Sequence, residues 1–395
     1  MKNSILKNLL LLLSIFGVGF AFQSCIDEIE LRELSNGVTT PSQISGETRS
    51  LNEVMAISDS VVGKTRATLA KGIWPIVEGK DTVAYVVNYS NNSGFVIISA
   101  NKNVTPVLAF SRDRNFSFDN EIVNRYFLNN IKSYADEVIR KHQYKEESDD
   151  DIITYERDPI IRINLGQGAP YDSIVQVHHP GCSVGCAPVS TVMIMAYCKS
   201  EVTYNNKLYN FRNIKAALIR GPSYNPIDTV PKINPNTIKP LVTTWTNNYW
   251  GCLNAIRDLL YEVGELMGCE YTSKGTSAIF GNTPVAFTKT GYKIGSIYGG
   301  YNPKMMVDSI DSEHIWFQCG QSTENPKNGH YWVIDGYKYD LVCKNDSIVN
   351  CQFYCHWGWY GACDGYYLGE IFNPYGEKKY KAIGNFWVKI EKEMK

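Results

Sequence analysis

From Leu51 the apolar residues Leu51, Val54, Met55, Val61 and Val62 recur at helical intervals, which predicts a short helix. Three strand-like runs follow, over 82–89, 95–99 and 106–111. The first two are separated by Asn91-Asn92-Ser93-Gly94, a hairpin signal. Asp119 then caps an amphipathic pattern in which Ile122, Tyr126, Phe127, Ile131, Tyr134, Ala135 and Val138 are spaced by three and four. These elements make a small α+β unit ending near Lys141. A second unit runs from about 152 to 395. Its helical patterns come first, after Cys186 (Val189, Val192, Met193, Ala196, Tyr197) and over 250–267. From Ile279 onward short strand-like runs punctuated by Gly, Asn and Pro dominate. Helices followed by strands predict an α+β architecture here too.

The length of 395 residues agrees with two folded units. With 44% apolar and 20% charged residues the chain reads as globular; a net charge of −1 with no basic run argues against nucleic acid as a partner. Lys2 and Lys7 precede an uncharged stretch of 14 residues, Leu9 to Phe22. A spanning helix needs about 20 apolar residues, so this stretch reads as the core of an export signal. Ser24-Cys25 follows in the manner of a relaxed lipobox, giving a signal over 1–24 and a lipid on Cys25 as the membrane contact; the alternative is that Cys25 is discarded with the signal. A cell-envelope location, at the outer membrane or the cell surface, is expected. Residues 25–48, with Asn36-Gly37, Pro41 and Gly46, read as a linker. A second joint follows Lys145, where five of the next six residues are acidic, and an exposed joint of this kind suits proteolysis. The ten cysteines besides Cys25 lie between Cys182 and Cys363. In an oxidising compartment several can pair, in a connectivity that spacing leaves open.

Chemistry concentrates in Gln167-Gly168-Ala169-Pro170-Tyr171, Gly185-Cys186-Ala187-Pro188 and Gly329-His330-Tyr331-Trp332-Val333-Ile334-Asp335-Gly336. Pro188 is tolerated only in a first helical turn, which puts Cys186 at a helix start. There the macrodipole and unpaired N–H groups favour a thiolate, a nucleophile that needs a histidine partner. Other readings are a buried structural thiol, or a zinc site in which Cys182, Cys186, Cys351 and Cys355 join His178, His179 or His356. His330, 144 residues downstream on an apolar strand, is the stronger partner candidate than His142, His178, His179, His314 or His356.

In this order the segments resemble the streptopain family of papain-like cysteine proteases, which are secreted as zymogens. Gln167-Gly168 with Pro170-Tyr171 resembles the family's oxyanion-glutamine segment, and Gly185-Cys186 its nucleophile helix. Gly329-His330 with Val333-Ile334-Asp335-Gly336 resembles its histidine strand. Trp357-Gly358-Trp359 and Asp364-Gly365-Tyr366 resemble its Trp-Gly-Trp…Asp-Gly-Tyr segment, while Gly94–Ala100 and Pro106–Ser111 resemble its propeptide. The resemblance implies a papain-like catalytic domain over 159–395, with a helical part carrying the cysteine and an antiparallel sheet carrying the histidine. It also implies an inhibitory propeptide over 49–145 and a cleavable linker over 146–158. The implied activity is a cysteine endopeptidase without cofactor or metal, acting on proteins or peptides and restrained by its own propeptide. Cys186 and His330 form the implied dyad, Gln167 the oxyanion donor and Trp357 a wall of the site. Four positions depart from the family: His356 stands where it has Asn, Tyr331 where it has a small Ala, Met193 where it has Gln and Pro188 where it has Ala. Two readings of His356 stay open: it orients His330 through a ring hydrogen bond, or it is only a packing or surface replacement beside a simple Cys–His dyad shielded by Trp357; Tyr331 would narrow the adjacent pocket. These departures also motivate a rival reading, a slow or inactive homologue acting as a surface binding lipoprotein.

Overall fold

A reciprocal capping box starts the first helix: Ser50 Oγ accepts the Glu53 N–H, and the Glu53 carboxylate accepts the Ser50 N–H. This helix, α1 (Leu51–Val62), buries Val54 and Ser58 against an antiparallel meander of β1 (Ala70–Glu78), β2 (Asp81–Tyr89), β3 (Phe95–Ser99) and β4 (Val107–Ser111). Alternation along β2 splits its side chains. Tyr85, Val87 and Tyr89 pack in the core beneath α1, whereas Ala84 and Val86 join a second core on the other face. The computed structural model describes residues 48–63, 70–78, 80–118, 130–131, 152–223, 248–298, 302–322, 329–372 and 380–391. The signal, the linker to residue 47 and the acidic run 145–151 lie outside these residues. So does most of the amphipathic pattern of 122–138, of which residues 130 and 131 are helical.

The second unit opens with β5 (Ile152–Arg157) and continues through α2 (Ser173–His178), α3 (Cys186–Cys198), a hairpin of β6 (Glu201–Tyr204) and β7 (Lys207–Asn210), α4 (Phe211–Arg220) and α5 (Tyr249–Met267). A small hairpin, β8 (Glu270–Thr272) with β9 (Gly275–Ser277), precedes α6 (Thr283–Lys289) and α7 (Pro303–Asp311). The chain closes with β10 (His314–Ser322), β11 (Gly329–Val342), β12 (Ser347–His356), β13 (Gly365–Leu368) and β14 (Tyr380–Lys389). The expected order of helices before strands holds broadly, but α6 and α7 interrupt the region read as strands. Asn302 caps α7 through the Met305 N–H, and both helices have proline in their first turn. These local start signals outweigh the surrounding strand-like composition. The second half of the proposed joint is likewise ordered, as β5 pairs with β11 from Tyr337↔Arg157 to Val342↔Ile152.

One ten-stranded sheet joins the two units. Its order is β1-β2-β3-β4-β13-β12-β11-β10-β14, with β5 paired to β11. The junction is short: Tyr366 lies opposite Phe110 and Tyr367 opposite Ala109. Phe110 stacks on Tyr366 at 4.8 Å, and Gln352 Nε2 donates to the Val107 carbonyl at 3.0 Å. A Cβ at Gly365 would stand 2.5 Å from the Phe110 carbonyl oxygen, so this strand approach requires glycine. Phe110 is 1% exposed. Phe110→Ala is therefore expected to cost the full-length chain about 3–5 kcal/mol, measured by chemical denaturation.

Candidate active site

Cys186 is the first residue of α3, preceded by Gly185 at φ +93 as N-cap. A side chain at Gly185 would be strained by that φ, and its Cβ would lie 2.8 Å from Thr276 Cβ and Cγ2. Thr276 belongs to β9 and donates to the Ser183 carbonyl at 2.6 Å, which pins the turn entering the helix. Here the local sequence reading holds: the thiol sits where helix N–H groups converge. Burial nevertheless pushes the thiol up to about 11, against hydrogen bonds from the Tyr331, Cys186 and Ala187 backbone. At neutral pH it is a thiol, not a thiolate.

His330 is the second residue of β11, and the alternation of that strand decides its direction. Tyr331 and Val333 pack into the core that contains Cys186 and α3, whereas Trp332 and Ile334 pack into the core on the opposite face. The His330 ring lies with Trp332, stacking on Trp359 at 4.6 Å and on Trp357 at 6.0 Å. Its Nε2 donates to the Trp357 carbonyl at 3.0 Å. Burial pushes the imidazole down to about 3, and the Trp357 bond offsets only part of that. Among the described residues Cys186 Sγ makes no hydrogen bond to His330. The side chain from β11 on the Cys186 face is Tyr331, packed near Phe317 and Phe280 and donating to the Ala278 carbonyl at 2.8 Å.

Gln167 is joined to the Cys186 turn by the Val184 N–H, which donates to its carbonyl at 2.8 Å. Its side-chain Nε2 is buried without a hydrogen-bond partner among the described residues. Such a donor is costly unless something comes to accept from it. The Gln167 segment is braced by Tyr360, which the sequence did not single out. The Tyr360 hydroxyl accepts from the Gly168 N–H and donates to the Ala169 carbonyl, both at 2.9 Å. Tyr360 belongs to the loop after Trp357 and Trp359, so one loop supports both Gln167 and His330. The N-terminal unit grips the same loop: Arg114 donates to the Tyr360 carbonyl at 3.4 Å, and the Ser117 N–H donates to Cys363 Sγ at 3.4 Å.

His356 does not form the direct bond to His330 that its position suggested. Both its ring nitrogens are taken by carboxylates, Nε2 by Asp335 at 2.8 Å and Nδ1 by Asp364 at 3.3 Å. Burial alone would push this imidazole down, but the Asp335 charge and the hydrogen bonds to Asp335 and Asp364 carry it up to about 10. It is an imidazolium at neutral pH. Asp335 and Asp364 were visible only as letters of longer motifs, because nothing local brings them to one histidine. No disulfide joins any two of the ten described cysteines, in contrast to the pairing that export suggested. Cys182 and Cys186 pack in one core and Cys351 and Cys355 in the other. Among the described residues no group of three or more His, Cys, Asp or Glu is placed to hold a metal.

The Spi protease inhibitor family matches residues 46–139. Streptopain from Streptococcus pyogenes serotype M1 is 24% identical over 334 residues, covering 73% of this chain and 74% of the relative. A solved fragment of prointerpain A from Prevotella intermedia superposes with a TM-score of 0.53 at 16% identity, covering 83% of this chain and 100% of that one, and so shares its fold. The Peptidase C10 family matches residues 165–367, just over half of the chain. The chain thus belongs to the peptidase C10 family, as a cysteine peptidase preceded by an inhibitor-type propeptide domain.

Proposed function

We propose that this chain is the latent precursor of an exported cysteine endopeptidase whose dyad is Cys186 and His330. The observation that carries the reading is a full set of parts with one out of place. A cysteine occupies a helix N-terminus and an unpartnered glutamine amide lies buried in the adjoining segment. A histidine one residue from the cysteine's β11 neighbour is turned to the opposite face of the sheet. In this state burial keeps both dyad members uncharged. Removing residues up to the 141–159 joint strips β4 from β13 and releases Arg114 and Ser117 from the loop that holds His330. His330, at the start of β11, then swings its ring away from the Trp357 carbonyl towards Cys186, and thiol and imidazole become an ion pair.

In the active form Cys186 Sγ attacks the scissile carbonyl. Gln167 Nε2 and the Cys186 N–H donate to the developing oxyanion, worth about 2.7–4 kcal/mol for one such donor. His330 passes its proton to the leaving amine, leaving an acyl-enzyme, and then takes a proton from the water that hydrolyses it. Trp357 and Trp359 shield the imidazole from solvent. Tyr331 narrows the cleft beside the nucleophile and restricts the side chains accepted there. A lipid on Cys25 tethers the precursor to the membrane, and cutting the joint frees the catalytic domain.

In the precursor, alkylation of Cys186 by iodoacetamide is expected to rise only as the pH approaches about 11. After maturation the same thiol should react below about pH 7, as paired thiolates do. Mass spectrometry of the labelled peptide reads both forms, and identical profiles would exclude a dyad assembled by processing. Cys186→Ala should abolish hydrolysis and leave the precursor uncut when expressed alone; maturation of that variant without added protease would rule out self-processing. Cys25→Ala should move the protein out of the membrane fraction, and retention after a high-salt wash would place the anchor elsewhere.

A further inference from the structure

Two further thiols crowd the nucleophile, and the peptidase reading leaves both unused. Cys319 lies directly opposite Tyr331 in the pairing of β10 with β11, and the Tyr331 backbone is itself bonded to Cys186. Cys269 follows α5, whose last turn packs on the first turn of α3: a Cβ at Gly264 would stand 3.5 Å from Pro188 Cγ. The Cys269 N–H donates to the carbonyl of that Gly264 at 2.9 Å. On its other side Cys269 leads into β8, the partner of β9, whose Thr276 lies against Gly185. The chain on either side of Cys269 thus touches the Gly185–Pro188 turn, and the cysteine packs against the core that holds Cys186.

The two thiols are not equivalent. A disulfide brings the Cα atoms to about 4.4–6.8 Å with a defined torsion, so at least one backbone has to be free to adjust. Cys319 is fixed in the middle of the sheet, paired with Tyr331 on one side and Gly384 on the other, and is 3% exposed. Cys269 stands between the left-handed cap Gly268, at φ +66, and a three-residue strand of a hairpin outside the main sheet, and it is partly exposed. It can approach Cys186 without breaking a ladder of the large sheet. Burial, the Cys186 charge and Glu265 push Cys269 up to about 12, so it stays a thiol and meets an oxidant slowly on its own. Cys186, open to substrate and paired with His330 in the mature enzyme, is the thiol that reacts first.

We propose that Cys186 and Cys269 form a reversible thiol switch, in which hydrogen peroxide turns the mature peptidase off by joining the two as a disulfide. Cys186 Sγ attacks the peroxide: an S–O bond forms as the O–O bond breaks, water leaves, and Cys186 becomes a sulfenic acid. Cys269 Sγ then attacks Cys186 Sγ. The S–S bond forms as the S–O bond breaks, and the departing hydroxide takes the Cys269 proton as a second water. The two thiols lose two electrons in all, and the peroxide accepts them. Neither sulfur can then attack a peptide, and a dithiol reductant reverses the bond. The proposal rests on the Cys186–His330 reading and adds to it a protection of the nucleophile. Without a resolving thiol the sulfenic acid is oxidised further to sulfinic acid, which a dithiol does not reduce.

The test uses the full-length chain cut at the joint by added protease, as wild type, Cys269→Ser and Cys269→Ala. All three are expected to start with the same kcat/KM, which also shows that the variants fold. Hydrogen peroxide should abolish activity in each, and dithiothreitol should restore most of it in wild type and little in either variant. Mass spectrometry of unreduced peptides should show Cys186 joined to Cys269 in oxidised wild type, and Cys186 as sulfinic acid in the variants. That cross-link in wild type decides the question even where a variant fails to fold. Equal recovery in wild type and variants, or an oxidised wild type in which Cys186 is joined to Cys182, to Cys319 or to no cysteine, would overturn the switch. A mature wild type that hydrolyses no peptide would instead bring down the peptidase reading, and the switch with it.

Discussion

The pairing of β4 with β13 is the contact on which the rest of this architecture depends. Without β4 the four-residue strand β13 would be a sheet edge, which invites another strand, and here the chain supplies its own. Once the edges meet, the meander and the catalytic sheet become one surface. Ile97, Ala109 and Phe116 then share a core with Trp357, Trp359 and Cys363. The loop that supports Gln167 and the His330 carbonyl acceptor is thereby packed against the N-terminal unit. Inhibition on this plan works through the shared sheet and core beneath the site.

Burial without a counter-charge explains the chemistry of the latent site. Cys186 is pushed up to about 11 and His330 down to about 3, so neither group carries the charge on which a thiolate–imidazolium pair depends. The same sheet buries a second histidine with the opposite result. His356 lies between two carboxylates and stays charged up to about 10. The two imidazoles are equally enclosed; their neighbours decide the difference, three indole rings for one and two aspartates for the other. Trp357 is common to both, stacking on His330 while its backbone is bonded on one side to Asp364 and on the other to His330.

Much of this was legible along the chain. The helical spacing after Cys186, the hairpin at Asn91–Gly94 and the strand preceding Gly336 are local patterns, and local patterns survive into the fold. Pro188 and Gly185 marked a helix start because one lacks an N–H and the other tolerates φ +93. Four helices of the second unit, α2, α4, α6 and α7, went unread, the last two because each is short and embedded in strand-like composition. β5 went unread because its acidic approach suggested a solvated joint, whereas its order comes from an open edge of β11 far away in sequence.

What the sequence alone determined is the inventory of chemistry and its local setting: a cysteine at a helix N-terminus, a histidine on an apolar strand, a glutamine in a turn, and tryptophans close behind. Alternation along β11 also required His330 and Tyr331 to point to opposite faces. Which of them meets Cys186 was left to the tertiary structure, because it depends on what fills each face. Here indole rings and a backbone carbonyl hold the imidazole on one side, while the space beside the thiol takes a tyrosine. The role of His356 was decided in the same way, since its partners lie 21 residues before it and 8 after it and converge only when β11, β12 and the loop to β13 are assembled. Contacts between groups distant in the chain have no local signature, and for that reason the parts could be read in order while their arrangement could not.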